Sequence, residues 1–490
     1  MLMGESEMRR SALSSVLFLW LIVPAALCHA QTAFADDANV QDQLKALKDR
    51  VQHLEGVETE LIDVKARLEK LESAGCTPAE QETICKRVDE WFANNQETIV
   101  QSMSKHALKK EMLGLDIAMG GYATFIYQSA LTRPTVGGHH ANRRDPLSYT
   151  LGLELTAYLT EERDQYIFLL LRAGNGSGID DLIPNNMVLN NNAEPTNDTP
   201  GQPDVAIDQL YYQGNFLDDK FTFTFGKMDF TYFFDSNAVA YSERYQFISG
   251  ALVNNLLIPF PSTENVAVSA LYSPFGAQDT GDEKENSTDW LLLQLGLSQT
   301  DENMNSTTSH GLLIGEVTFR PHKLPCLKDR IHNRPGNYRV GGFLNDGHIA
   351  SLDDLRDERE TGNSSASGVY LSFDQEICDN ITLFMRYGNQ NKDVAPNNQF
   401  WSYGIQFLGQ MWGREGDAIG LASAVNVHNP HANFMRPEYT ANERLYEIYY
   451  RWRVSKFLQV SPDLQLLGNP SGNPHARTAV VAGLRLQFDF

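Results

Sequence analysis

The chain has 490 residues, 42% hydrophobic and 10% aromatic, with a formal net charge of −22. That acidity, with no stripe of Lys and Arg interleaved with aromatics, excludes nucleic acid as a partner. Beyond the first 35 residues the longest apolar run is Ile167 to Leu171, far short of the about 18 residues of a membrane helix, so any membrane crossing must use strands.

The amino terminus reads as a secretory signal peptide over residues 1–35. Met8-Arg9-Arg10 is a basic start, Ala12 to Leu27 an apolar run, and Ala33-Phe34-Ala35 a small-x-small cleavage site. Residues 36–113 read as a periplasmic helical segment. Leu44, Leu47, Val51 and Leu54 follow 3,4 spacing, and Val57, Leu61, Val64, Leu68 and Leu71 resume it after a phase slip beside Gly56, which predicts a short coiled coil. The rival is a lone amphipathic helix. A homotrimer through this coiled coil, or contact with the cell wall, is the corresponding expectation. Cys76 and Cys85 enclose a short loop, while Cys326 and Cys378 fall in two turn regions. In an oxidising periplasm these four are disulfide candidates, because they lack the C-x2-C knuckles of a zinc site.

From residue 114 to 490 the chain is nearly all strand and turn. Leu147 to Thr156 alternates apolar and polar, as do Leu291 to Ser298 and Trp401 to Phe407. Tyr446, Ile448, Tyr450 and Trp452 share one face opposite Glu447, Tyr449, Arg451 and Arg453. At the end Leu484, Leu486, Phe488 and Phe490 alternate with Arg485, Gln487 and Asp489, the lipid-out and polar-in repeat of a closing barrel strand. Candidate strands start near 117, 147, 165, 205, 220, 265, 289, 311, 337, 367, 381, 399, 417, 443, 456 and 477. The fold class is therefore all-β: a 16-stranded antiparallel transmembrane barrel of the bacterial outer membrane, wide enough to hold water. Long outer loops are expected at Gly174 to Pro203 and Asp346 to Asn363.

Ordered motifs then point to a family. Gly226-Lys227-Met228-Asp229, Phe233-Phe234-Asp235-Ser236-Asn237-Ala238, Ala251-Leu252-Val253-Asn254-Asn255, Leu371-Ser372-Phe373-Asp374-Gln375, Arg386-Tyr387-Gly388, Met411-Trp412-Gly413-Arg414 and Ser461-Pro462-Asp463-Leu464 occur in sequence. Together they resemble the carbohydrate-selective porin B family over roughly Gly121 to Phe490. The resemblance implies a sixteen-stranded outer-membrane porin admitting sugars by passive diffusion. The added amino-terminal segment is closer to relatives linked to inorganic-ion or iron uptake, which stays as the alternative.

Sugar selectivity needs hydrogen-bonding groups around a narrow path, with aromatic faces for the apolar side of the ring. The segment 229–255 supplies such groups in Asp229, Asp235, Asn237, Glu243, Arg244, Gln246, Asn254 and Asn255, and is expected to fold inward as a constriction. A solvated outer loop is the alternative. Arg386, Glu447, Arg451 and Arg485 face inward by parity, either touching solute or satisfying one another. Outer-membrane lipid and lipopolysaccharide are the expected surroundings. No cofactor motif is present. His139-His140 stands in a Gly-rich loop without a nearby carboxylate and reads as solvated rather than metal-binding, and neither G-x-S-x-G nor H-E-x-x-H assigns an enzymatic role.

Overall fold

The computed structural model describes residues 116–132, 145–176, 178–193, 205–261, 265–276, 278, 289–300, 310–324, 334–359, 362, 364–435 and 437–490. The signal peptide, the coiled coil, Cys76, Cys85, Cys326 and His139-His140 lie outside these residues.

Sixteen antiparallel strands follow in chain order: β1 (Asp116–Thr132), β2 (Leu147–Tyr158), β3 (Gln165–Asn175), β4 (Val205–Phe216), β5 (Phe221–Met228), β6 (Asn265–Tyr272), β7 (Leu291–Gln299) and β8 (Gly311–Phe319). The second half comprises β9 (Gly336–Ile349), β10 (Ser364–Cys378), β11 (Ile381–Gln390), β12 (Asn397–Leu408), β13 (Ala418–His428), β14 (Glu443–Arg453), β15 (Leu458–Gly468) and β16 (Ala479–Asp489). Every expected strand start falls within three residues of an observed one. Each strand pairs with its sequence neighbours and β1 pairs with β16, so the sheet closes and leaves no edge. Past the end of β16, Phe490 still exchanges two backbone hydrogen bonds with Gly121, at 2.8 and 3.0 Å.

The alternation seen in the sequence decides which side chains enter the barrel. In β16, Leu484 and Phe488 are exposed on the outside while Arg485 and Gln487 are fully buried inside. In β14, Tyr446, Ile448 and Trp452 point out, and Glu447 and Tyr449 point in. Leu293, Leu295 and Leu297 of β7 and Leu151 and Leu153 of β2 extend the exposed apolar band. An antiparallel barrel whose outer surface is apolar and whose inner surface is charged is the arrangement a bilayer requires, since every backbone polar group is satisfied within the closed sheet. Among the described residues no helix is long and apolar enough to cross a membrane.

The connections sort by end. At the end that carries Asp116 and Phe490, the terminal end, the turns after β10 and β14 are short. At the opposite, loop end, two connections turn back into the barrel. One is 178–193, which was expected to be an outer loop. The other is 229–261, which includes the helical turn α1 (Gly250–Val253). They hydrogen-bond to each other along their backbones, Gly250 to Val188 at 2.8 Å, Ala251 to Met187 at 3.0 Å and Asn191 to Ile248 at 3.0 Å. Ile179, Ile183, Met187 and Leu189 of the first insert pack with Phe247, Ala251, Leu252 and Val253 of the second against Phe384, Phe400, Leu445 and Leu467 of the wall. A second buried cluster, Phe230, Phe234 and Ile258 of the insert with Leu312, Ile314, Phe343 and Tyr370 of the wall, faces β8 to β10, so the interior has an apolar core in two parts. That core explains why residues inside a water-wide barrel are buried at all.

Candidate functional site in the barrel lumen

The second insert is fastened to the wall by charged side chains whose partners are mostly its own backbone. Arg386 of β11, fully buried, donates from Nη1 to the Leu252 carbonyl at 2.8 Å and from Nη2 to the Asp235 carbonyl at 3.0 Å. Its Nε lies 3.0 Å from the Asp235 carboxylate. That carboxylate accepts from the Asn255 amide at 2.8 Å, and the Asp235 amide donates to Glu316 of β8 at 2.9 Å. Burial pushes the Asp235 carboxyl up to about 6, opposed by the Arg386 guanidinium beside it. Glu447 accepts from the amides of Ile248 and Ser249 at 2.5 and 3.2 Å. Arg485 donates to the carbonyls of Glu243 and Gln246 at 2.6 and 2.8 Å, and Arg451 to that of Tyr245 at 3.4 Å.

The polar side chains of the insert divide into braces and lining. Asn255 spans the wall, donating to the Tyr387 carbonyl at 3.0 Å, and Asn237 donates to the Phe373 carbonyl at 3.0 Å. Gln246 closes the insert on itself, accepting from the Tyr241 amide at 2.6 Å and donating to the Ala238 carbonyl at 2.8 Å. Glycine makes two of these contacts possible. A β-carbon at Gly388 would stand 2.4 Å from Oδ1 of Asn255, and one at Gly420 would stand 2.9 Å from the Phe247 ring.

Asp229, Glu243, Arg244 and Asn254 instead border a cavity of about 420 Å³, with Arg172, Asn191, Thr231, Tyr232 and Tyr241. Asp229 also caps the turn that follows it, accepting from the Thr231 amide at 2.8 Å. The Arg244 guanidinium lies over the Tyr122 ring, 4.0 Å from its centroid, and 3.7 Å from Glu154 of β2. Arg172 of β3 pairs with Asp208 of β4 at 2.8 Å. Burial raises the hydroxyls of Tyr232 and Tyr241 well above their ordinary value, so both remain neutral donors. Hydroxyl, amide, carboxylate and guanidinium groups therefore converge with tyrosine rings in one narrow space.

A family model described as carbohydrate-selective porin, OprB family, matches residues 170–490. The chain belongs to the OprB family. Porin B of Pseudomonas aeruginosa is 26% identical over 246 residues, covering 41% of this chain and 52% of that one. Porin AaxA of Chlamydia pneumoniae is 26% identical over 123 residues, 25% of this chain and 28% of that one. The matched curated relatives are thus spanned over about half their length or less. The high-pH structure of Pseudomonas putida OprB aligns with a TM-score of 0.60 at 16% identity, over 77% of this chain and 94% of that chain, which shows the fold. The family and the closed sixteen-strand form together place the chain among outer-membrane β-barrels.

Against the sequence reading, the site differs in two respects. Arg386, Glu447 and Arg485 do face inward, but they are buried under the insert and bind its backbone, because the lumen at their height is filled by chain rather than water. The cavity lining also includes Arg172, Asn191 and Tyr232, which the sequence patterns did not single out. Arg172 was accessible by parity, sharing the inner face of β3 with Leu170 and Phe168, whereas Asn191 belongs to the insert read as an outer loop. A second buried network, Glu316, Arg339 and Asp374, holds the insert from β8, β9 and β10, with Arg339 2.8 Å from Asp374. Cys378 is a free, half-buried cysteine where β10 passes into the turn to β11, with the register shifting beside it, and its expected partner Cys326 lies outside the described residues.

Proposed function

We propose that this chain forms an outer-membrane pore for passive diffusion of small hydroxyl-rich solutes, carbohydrates first, with the insert 229–261 as its constriction. The single observation that carries this reading is the cavity where Arg244, Arg172, Tyr232, Tyr241 and Glu243 meet inside a closed barrel of the carbohydrate-selective family. Both guanidiniums there have carboxylate partners, Arg172 with Asp208 and Arg244 with Glu154, and Asp229 and Glu243 add two further carboxylates, so the lining offers directional hydrogen bonds and no uncompensated positive charge. Such a lining suits a neutral polyol better than an inorganic anion, whose lost hydration needs an uncompensated counter-charge. The path performs no bond chemistry in this reading, and no residue is assigned a catalytic role.

The remaining expectations belong to the same proposal. The heptad segment 40–71 assembles the channel as a homotrimer or attaches it to the cell wall, and lipopolysaccharide surrounds the loop end. Liposome swelling tests the solute class. Glucose and maltose should enter faster than zwitterionic or anionic solutes of similar size, and rates set by size alone, or favouring phosphate, would move the reading to a general or ion porin.

A further inference from the structure

A second polar cavity, of about 570 Å³, opens on the inner wall near the terminal end, away from the insert's anchors. Strand pairing sets Tyr166, Gln213, Thr224 and Ser269 side by side across β3, β4, β5 and β6. The adjacent row holds Asn215, Thr222, Leu271 and Gln294. These rows are neutral; the charges that border the cavity come from the turns at its rim, and Arg163 there is already held 2.6 Å from Asp116.

The hydrogen bonds of the rows leave a particular pattern. Thr222 and Thr224 donate to the amide oxygens of Asn215 and Gln213 at 2.9 and 3.3 Å, and Gln294 donates to the Ser269 hydroxyl at 3.1 Å. The Gln278 amide oxygen lies 3.1 Å from the same Thr222 hydroxyl, whose single proton serves one acceptor at a time, and its buried Nε2 has no partner among the described residues. A buried donor without an acceptor is unfavourable, and a hydroxyl, which donates and accepts at one atom, relieves it without bringing charge. Tyr158 and Tyr166 border the same space with their rings 6.0 Å apart, and Phe233 reaches it from the insert while meeting Tyr211 edge-on at 5.9 Å. Amides, hydroxyls and aromatic faces, with the charges kept to the rim, are the recognition set for a saccharide.

We infer that this cavity is a second saccharide station, a neutral hydroxyl-binding site on the terminal-end side of the constriction. It rests on the reading that sugars traverse the barrel. Tyr166 here and Arg172 at the constriction share the inner face of β3 six residues apart, roughly 20 Å at about 3.4 Å per residue. Phe168 and Tyr211, with rings 5.1 Å apart, lie between them and give a sugar ring an apolar surface to cross.

Single-channel recording with maltose tests this. Wild-type channels should show two classes of blocked dwell time, one for each station. In Gln213→Leu with Thr224→Val the unblocked conductance and one class should persist, while the other shortens about tenfold, the effect of losing on the order of 1.4 kcal/mol of hydrogen bonding. If that variant inserts no channels, Gln294→Leu replaces it with the same expected result. Two dwell classes unchanged in the variant, or a single class in the wild type, would overturn the second station alone. A wild-type channel that maltose never blocks would overturn the sugar-porin reading beneath it.

Discussion

At the residue scale, the interior is governed by which polar groups the inserts satisfy. Asp235 is fully enclosed, and its carboxyl, raised to about 6 from an ordinary value near 3.8, makes the insert sensitive to pH in a definite direction. Because the folded state holds this proton more tightly than the unfolded chain, its contribution is present below about 4 and is lost as pH rises through about 6. Hydrogen exchange of residues 229–261 should therefore show more protection at pH 4.5 than at pH 7. Asp235→Asn should remove that difference, on the order of 2 kcal/mol, whereas an identical pH profile in the variant would place the effect elsewhere. Arg386→Met is expected to cost about 3 to 5 kcal/mol, since it strands a buried carboxylate and two carbonyls, and denaturant unfolding of the refolded protein would measure it.

At the element scale, the strands were legible and the inserts only partly so. A strand with one face in lipid and one in a polar interior must alternate, and Leu484 to Phe490 does so residue by residue, which is why all sixteen starts were recovered. Parity also told that Arg386, Glu447 and Arg485 point inward. It could not tell what meets them there, because alternation reports the face of a strand and not the contents of the lumen. The inward fold of 229–255 was suggested by its polar residues, yet Asn237, Gln246 and Asn255 brace the insert through backbone carbonyls. The insert 178–193 gave no such signal: its asparagines suit a solvated loop equally well, and only the contact of Ile179, Ile183 and Met187 with the other insert reveals its place. The glycines follow from the same packing. Gly420→Ala puts a methyl 2.2 Å from the Tyr449 ring and 2.9 Å from that of Phe247, so the insert should be pushed off the wall into the lumen and the open-channel conductance fall; an unaltered conductance would show that the insert does not set the pore's width.

At the scale of the whole molecule, the barrel combines an apolar outside, two apolar clusters inside and polar cavities along the inner wall. The outside can be tested independently of transport. Leu295→Arg, on an exposed outward position of β7, should cost about 2 to 4 kcal/mol of folding stability in a bilayer if it lies near the midplane, measured by reversible unfolding in liposomes. The same change at Ser298, inward and buried, should act through packing with no dependence on bilayer thickness. The family motifs gain a physical meaning at this scale: Asp235, Ser372, Asp374, Arg386 and Gly388 come from distant parts of the chain and all hold one insert, Ser372 through the Ser236 carbonyl at 3.1 Å.

In the proposed channel the insert's cavity-lining polar groups, not its buried anchors, meet the solute. Conductance of single channels in a planar bilayer with glucose titrated against wild type and against Glu243→Ala with Arg244→Ala tests it most directly. Saturable block in the wild type, weakened about tenfold or more in the variant with a changed conductance, is the predicted result. Equal block and equal conductance in both channels would contradict it, and would move Glu243 and Arg244 off the solute path.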